Sequence, residues 1–355
     1  MPSVFSFAEE HPVVGSVGMR HLKTKNKSKA VLYDLKHLMG TNRHLNYGTW
    51  PFAICTTPEK MSFVVNSDGK FEEFTTIEIY QILLQKLKAA ASAYQSDLND
   101  KNPVNQAVIT IPDFEDKLII ADVCQAAEIA NIEIIDIITE IHADLLYLLS
   151  KYNVRPDEEV IIVDIGGGTG YIQKFSMIQG LKEKHVLSFL SGRRINEMLW
   201  KQLELTLLSK YQMRIDDRFI LMTEMERIKE TLSFDESANI QLPVIWARFK
   251  KDIEPVTKIW FEENVMARVF NDKENKKILE NAMDDMNNPS KPSKVFLVGG
   301  TCWIPYIQNY FKSVFGEDKV VVPNNLQNIT ATGALIHGLQ ILNGFVEPTF
   351  VKIKI

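Results

Sequence analysis

The amino-acid sequence predicts an α/β protein organised in two lobes. Three observations carry this. Strands and amphipathic helices alternate between Phe63 and Tyr152. A polar run, Arg155-Pro156-Asp157-Glu158-Glu159, then interrupts the pattern. Beyond it, a strand from Val160 leads into a glycine-rich turn. At 355 residues the chain is long enough for two cores, and its 45% apolar and 24% charged content is that of a globular protein.

The elements follow in order. Phe63-Val64-Val65, Asn66-Ser67-Asp68-Gly69 and Lys70-Phe71 read as a β-hairpin with a Gly-containing turn. Ile79, Ile82, Leu83, Leu87 and Ala90 recur at helical spacing, predicting an amphipathic helix over 77–94. A strand at Ala107–Ile111 stops at Pro112, and a helix then runs to about Ala130. Ile134–Ile138 reads as a strand and Ile141–Tyr152 as a helix. In the second half, strands are expected at Val160–Val163 and Tyr171–Ile178, and helices at 195–210, 217–232 and 246–270 despite Pro255. Residues 286–293 read as a loop. A strand at Val295–Val298 runs into Gly299-Gly300, followed by a helix at 305–315, a strand at 320–322 and a helix at 331–342. The tail from Phe350 to Ile355 alternates like a strand.

Composition narrows the function classes. The net charge of −5 offers no basic surface for nucleic acid. No apolar run approaches the roughly 18–20 residues of a membrane span, so no membrane partner is expected. The three cysteines, Cys55, Cys124 and Cys302, lack metal-ligand spacing and are expected as reduced, mostly buried thiols in the cytoplasm.

Asp164-Ile165-Gly166-Gly167-Gly168-Thr169-Gly170 is the most informative segment. Consecutive glycines let backbone N–H groups converge on an anion, because no Cβ blocks the approach. A strand-end Asp can hold a hydrated Mg²⁺. Rossmann and Walker loops must open a helix, whereas Ile172, Phe175 and Ile178 continue as a strand. The glycines therefore sit in a hairpin turn, a composition that a merely tight hairpin would share.

The segment resembles the phosphate hairpin of the heat-shock protein 70 and actin-like ATPases, and further matches follow in the family's order. Ala107–Pro112 and Ile137-Ile138-Thr139-Glu140 are similar to two of its strand ends, and Glu226–Ser233 to its adenosine-contacting helix. Val298-Gly299-Gly300-Thr301 with Ile304–Gln308 is similar to its adenosine turn. Tyr33–Gly40 and Trp50-Pro51-Phe52 resemble its lysine segment. The resemblance implies a two-lobed actin-like ATPase (ribonuclease H-like) fold, incomplete in the first lobe. It implies lobes at 1–152 (1–77 outer, 78–152 inner) and 153–355, with 194–288 the outer helical part and 326–355 returning to the first lobe. ATP or ADP with Mg²⁺ is the implied ligand, and co-chaperones or nucleotide-exchange factors are the implied partners.

By resemblance, Lys36 reaches the γ-phosphate and the attacking water, while Glu140 and Asp164 surround the metal and its water. Gly166, Gly167, Gly168 and Thr169 bind phosphate. Glu226, Lys229 and Ser233 share one helix face, which fits ribose and base contacts and fits a solvated polar face equally well. Gly299, Gly300, Thr301 and Trp303 complete the adenosine side.

Departures from the family pattern bear on activity. Glu230 stands where an arginine stacks on adenine, Trp303 replaces a second arginine, Tyr171 an acid and Ile141 a proline. Arg193-Arg194 replaces an acidic, glycine-rich stretch. The family's Asp-Leu-Gly-Thr-Thr turn occurs nowhere in residues 1–150. If that turn makes three charge-assisted hydrogen bonds of roughly 1.5–3 kcal/mol each, its loss costs on the order of 5–9 kcal/mol, or about three to six decades of affinity. Absence of the strands around it would also leave the first lobe's sheet with an unpaired edge. The expectation is an ATP- or ADP-binding relative with a chaperone-related role and doubtful hydrolysis. The alternatives are a non-catalytic interaction module or a truncated chain of an ordinary chaperone ATPase.

Overall fold

The computed structural model describes residues 3–22, 24, 27–33, 35, 50–57, 61–99, 102–112, 117–155, 157–176, 178, 180–187, 189–213, 218–241, 253–287 and 292–348. The chain divides into two units, Met1–Leu146 with Thr330–Ile355, and Tyr147–Ile329.

The first unit opens on short strands. β1 (Phe5–Ser6) pairs antiparallel with β2 (Val13–Val14) and β3 (Val31–Leu32), and α1 (Ser16–Leu22) lies between the latter two in sequence. A second antiparallel sheet follows, β4 (Ala53–Thr56), β5 (Met61–Ser67) and β6 (Lys70–Thr75). Its β5–β6 turn places Asp68 and Gly69 at φ 50° and 89°, the double left-handed turn that matches strand twist. Helix α2 (Thr76–Asp97) starts on a capping box in which Thr75 and Glu78 satisfy each other's backbone N–H. A β-α-β unit comes next: β7 (Gln106–Ile111), α3 (Lys117–Ile129) and β8 (Glu133–Thr139), with β7 and β8 parallel and Ile109 opposite Ile137. Helix α4 (Glu140–Lys151) leaves β8 directly.

The second unit is built on one sheet. β9 (Glu159–Ile165), β10 (Gly170–Ser176) and β11 (Gly180–Val186) form an antiparallel meander. Val160, Ile161, Ile162 and Val163 are wholly buried, as expected of a strand covered on both faces. Helices α5 (Gly192–Tyr211) and α6 (Arg218–Phe234) follow, then a small ladder of β12 (Ser237–Ala238) and β13 (Val256–Thr257). The chain continues through α7 (Lys258–Phe261), a π-helical turn (Glu262–Met266), α8 (Ala267–Asn271) and α9 (Lys273–Asn287). β14 (Lys294–Val298), a 3₁₀ turn (Gly300–Trp303), α10 (Pro305–Phe315) and β15 (Val320–Val321) complete it. The sheet order is β11-β10-β9-β14-β15, with β14 parallel to both β9 and β15.

Helix α11 (Ile329–Leu342) belongs almost wholly to the first unit. A Cβ at Gly333 would lie 1.7 Å from the Ala143 carbonyl, so glycine lets α11 pack backbone against backbone on α4. Nearby, His337 Nε2 meets Asp136 Oδ2 at 2.8 Å in a buried pair, and Thr330 donates to Asp144 at 2.6 Å.

Three expectations are corrected. Of the helix expected over 246–270, residues 246–252 lie outside the described residues, and in the rest helix starts at Lys258, because Val256–Thr257 is a strand and Thr257 is the N-cap, accepting from the Trp260 N–H. Met286 is buried in the last turn of α9 rather than in a loop. That helix escaped notice because its composition is strongly polar, although Leu279, Ala282, Met283 and Met286 recur at helical spacing and are its buried residues. Of the cysteines, only Cys302 is buried; Cys55 is exposed and Cys124 half-buried. The strand expected at 350–355 lies outside the described residues, as do Lys36 and most of the lysine segment around it.

Candidate functional site

The glycine-rich segment forms the turn between β9 and β10, where the Gly166 N–H donates to the Thr169 carbonyl at 2.9 Å. Gly170 pairs with Ile165 to begin the return strand. Its Cβ would fall 2.2 Å from the Leu190 carbonyl, so glycine is required by a close backbone approach. Gly167 is exposed, and a Cβ there would meet nothing within 4 Å. That side of the turn is open to an incoming anion.

The start of α5 holds the turn from below. Ser191 is the N-cap, and its hydroxyl accepts from the Arg194 N–H at 3.4 Å. The Gly192 and Arg193 N–H groups donate to the carbonyls of Gly166 and Gly167 at 3.0 and 2.7 Å. These orphan donors of the helix are thus spent on positioning the glycines. A Cβ on Gly192 would stand 2.9 Å from both Lys229 Nζ and Thr301 Oγ1 and 3.3 Å from the Gly167 Cα. Hairpin, helix start, α6 lysine and 3₁₀ turn therefore converge on one point.

Lys229 is buried, with its ammonium 3.4 Å from the Gly192 carbonyl and 3.8 Å from Glu226. Burial pushes its pKa down, while Glu226 and Glu230 oppose the shift. Burial also raises the Glu230 carboxyl, helped by Glu226 and countered by Lys229. Ser233 turns its hydroxyl back to the Lys229 carbonyl at 3.0 Å.

The remaining members come from the end of β14. Val298 pairs with Asp164, which brings the Gly299 turn beside that aspartate. Gly299 has φ 84°, and a Cβ would lie 2.4 Å from the Ile165 carbonyl and 2.6 Å from Asp164 Oδ1. Only glycine fits there. The Thr301 hydroxyl donates to the Gly166 carbonyl at 2.9 Å and so ties the two turns together. Trp303 packs against Phe234, with ring centroids 5.6 Å apart. Cys302 is fully buried, and burial raises its thiol well above the usual range. It is a core residue rather than a nucleophile.

The structure thus brings together, within the second unit, Asp164, the Gly166–Thr169 turn, Lys229 with Glu226 and Ser233, and the Gly299–Trp303 segment. Glu140 belongs to the first unit, as the first residue of α4. Sequence reasoning missed Phe234 and the supporting role of Ser191-Gly192. A Ser-Gly pair directly before a helical stretch was the available signal for the latter.

The donor set can be tested against a nucleotide. An open glycine backbone suits phosphate oxygens. Among the described residues no three His, Cys, Asp or Glu side chains cluster as a metal cage. Mg²⁺ keeps most of its waters and uses few carboxylates, and Asp164 stands near the end of β9 at the hairpin.

The β9-β10-β11 meander, with β14 parallel to β9 and β15 beyond it, is consistent with an actin-like ATPase fold. The model of the family described as Hsp70 protein matches residues 1–352, and the chain belongs to the Hsp70 family, an ATP-binding family. Among the described residues, no helix is long and apolar enough to cross a membrane.

Proposed function

We propose that this protein binds ATP and ADP with Mg²⁺ in a chaperone-related role and hydrolyses ATP slowly or not at all. The observation that carries the reading is the convergence of Gly167, Gly192, Lys229 and Thr301 on one point beside an open glycine turn. In this reading Gly166, Gly167, Gly168 and Thr169 take the phosphates. Glu226, Lys229, Ser233, Gly299, Gly300, Thr301 and Trp303 take the nucleoside. Asp164 and Glu140 meet Mg²⁺ through water, and Lys36 is the cation of the phosphoryl-transfer step. Slow turnover is supported by Glu230, Tyr171 and Trp303 in place of the family's usual residues. Co-chaperones or exchange factors in the cytoplasm are the partners that fit a family member of this kind.

A second reading, a non-catalytic interaction module, is favoured by Glu230. Its carboxyl is held up by burial and by Glu226, on the helix face where a cation would stack on the base. Calorimetric titration with Mg-ADP and Mg-ATP separates the two readings. Binding in the micromolar to millimolar range is expected, and no heat at millimolar nucleotide would leave the interaction module. Where turnover is measurable, Lys36→Ala should abolish it and leave ADP affinity within a few-fold; unchanged turnover would remove Lys36 from the chemistry.

A further inference from the structure

Helix α6 ends on an aromatic residue that the fold leaves in water. Phe234 is its last residue and remains 66% exposed. Its ring meets Trp303, with centroids 5.6 Å apart and planes tilted by 51°. At that tilt neither ring covers the other's face, so a flat apolar group can be laid on the pair. Trp303 is itself only half-buried. Its main chain is held from behind, where Gln308 Nε2 donates to the Cys302 carbonyl at 2.8 Å and to the Trp303 carbonyl at 3.5 Å. Covering this pair with a planar ring removes apolar surface from water.

Both rings grow from elements of the candidate site. Phe234 follows Ser233 directly and lies five residues beyond Lys229, a rise of about 7.5 Å along the helix axis. Trp303 closes the 3₁₀ turn that begins beside Gly299 and carries Thr301. The buried ammonium and the ring pair are therefore separated by about the length of a nucleoside. The groups around the rings also limit how a base could be read. Stacking is tolerant of base identity, because every base has a π-face, whereas discrimination needs hydrogen bonds to the base edge. The Ser233 hydroxyl already donates to the Lys229 carbonyl at 3.0 Å, so its proton is spent within the helix. Glu230, four residues before Phe234 on the same helix face, can accept from an exocyclic amine, and adenine and guanine both carry one.

We propose that Phe234 and Trp303 form the base platform of this site, and that it takes amino-purine nucleotides, adenine and guanine alike, rather than adenine alone. The proposal rests on the nucleotide reading above. Phe234 supplies an open ring face, Trp303 fixes that ring against the 3₁₀ turn, and affinity comes from stacked area rather than from edge contacts. A pyrimidine, with one ring in place of two, covers less of the pair and is held more weakly.

Calorimetric titration of the full chain with Mg-ADP, Mg-GDP and Mg-UDP tests it, with tryptophan emission followed in parallel. ADP and GDP should bind within about threefold of each other, and UDP about tenfold more weakly. Phe234→Ala should weaken both purine nucleotides about tenfold or more, and Phe234→Tyr should restore them to within about threefold. The chain has five tryptophans, so the quenching that ADP causes is assigned by difference and should vanish in Trp303→Phe. ADP binding that is unchanged in Phe234→Ala, or that exceeds GDP binding more than a hundredfold, would overturn the platform and leave the nucleotide reading standing. No heat with any of the three at millimolar concentration would sink both. A concentration-dependent dimer that Phe234→Ala abolishes would assign the rings to a second copy and overturn the proposal equally.

Discussion

At Lys229, burial and two carboxylates act in opposite directions: burial lowers the ammonium pKa, and Glu226 and Glu230 raise it. A nucleoside hydroxyl accepting a hydrogen bond from the ammonium adds to that balance and favours the charged lysine. Lys229→Met should therefore weaken Mg-ADP binding by about ten- to a hundredfold, the worth of one or two hydrogen bonds to a charged group, measured by calorimetry. An affinity unchanged by the substitution would place the ligand elsewhere. A second residue-scale prediction concerns His21. Its ring meets Ser6 Oγ at 2.9 Å and Glu9 at 3.1 Å, with Lys27 at 3.4 Å. Burial lowers its pKa, Lys27 and Arg20 lower it further, and Glu9 partly offsets them. Because the folded pKa lies below the unfolded value, the unfolded chain binds more protons between the two. Stability is therefore full above about pH 6.5 and is lost as pH falls toward the folded pKa. Thermal midpoints of the wild type should drop more on going from pH 7.5 to 5.5 than those of His21→Gln, and parallel profiles would refute the assignment.

At the scale of elements, glycine decides where backbones touch. Gly333 allows α11 to meet α4, with the Ala143 carbonyl where a Cβ would sit. Gly333→Ala should cost about 3 kcal/mol or more, read as the loss of denaturant midpoint, since neither helix can retreat without opening the cluster of Ile138, Ala143 and Ala334. A change below 0.5 kcal/mol would mean that the two helices pack more loosely. The elements that sequence revealed best are those with strong local signals. The Asp68-Gly69 hairpin, β9 and the Gly166–Thr169 turn all state their structure within a few residues. Those that stayed hidden depend on partners distant in sequence. Helix α9 is polar apart from one buried stripe, and β11 is held by register with β10 rather than by its own alternation. The site divides in the same way. Its glycines and acids were visible as motifs, whereas the placing of Lys229 against Gly192 and Thr301 required α5, α6 and β14 to be assembled first.

For the molecule as a whole, the second unit carries the glycine hairpin and the Gly299–Trp303 segment at one sheet, with the buried lysine beside them on α6. The first carries Glu140 and the short strands that precede it. Membership of the Hsp70 family makes nucleotide the expected ligand, while Glu230, Tyr171 and Trp303 weaken the case for turnover. The account's central claim is that nucleotide lodges where the glycine turn, α5, α6 and the β14 turn meet. Hydrogen exchange of the full chain with and without saturating Mg-ADP tests it most directly. The account predicts slower exchange in peptides covering Gly166–Gly170, Gly192–Arg194, Glu226–Phe234 and Gly299–Trp303. Millimolar Mg-ADP that leaves all four segments unchanged would contradict it.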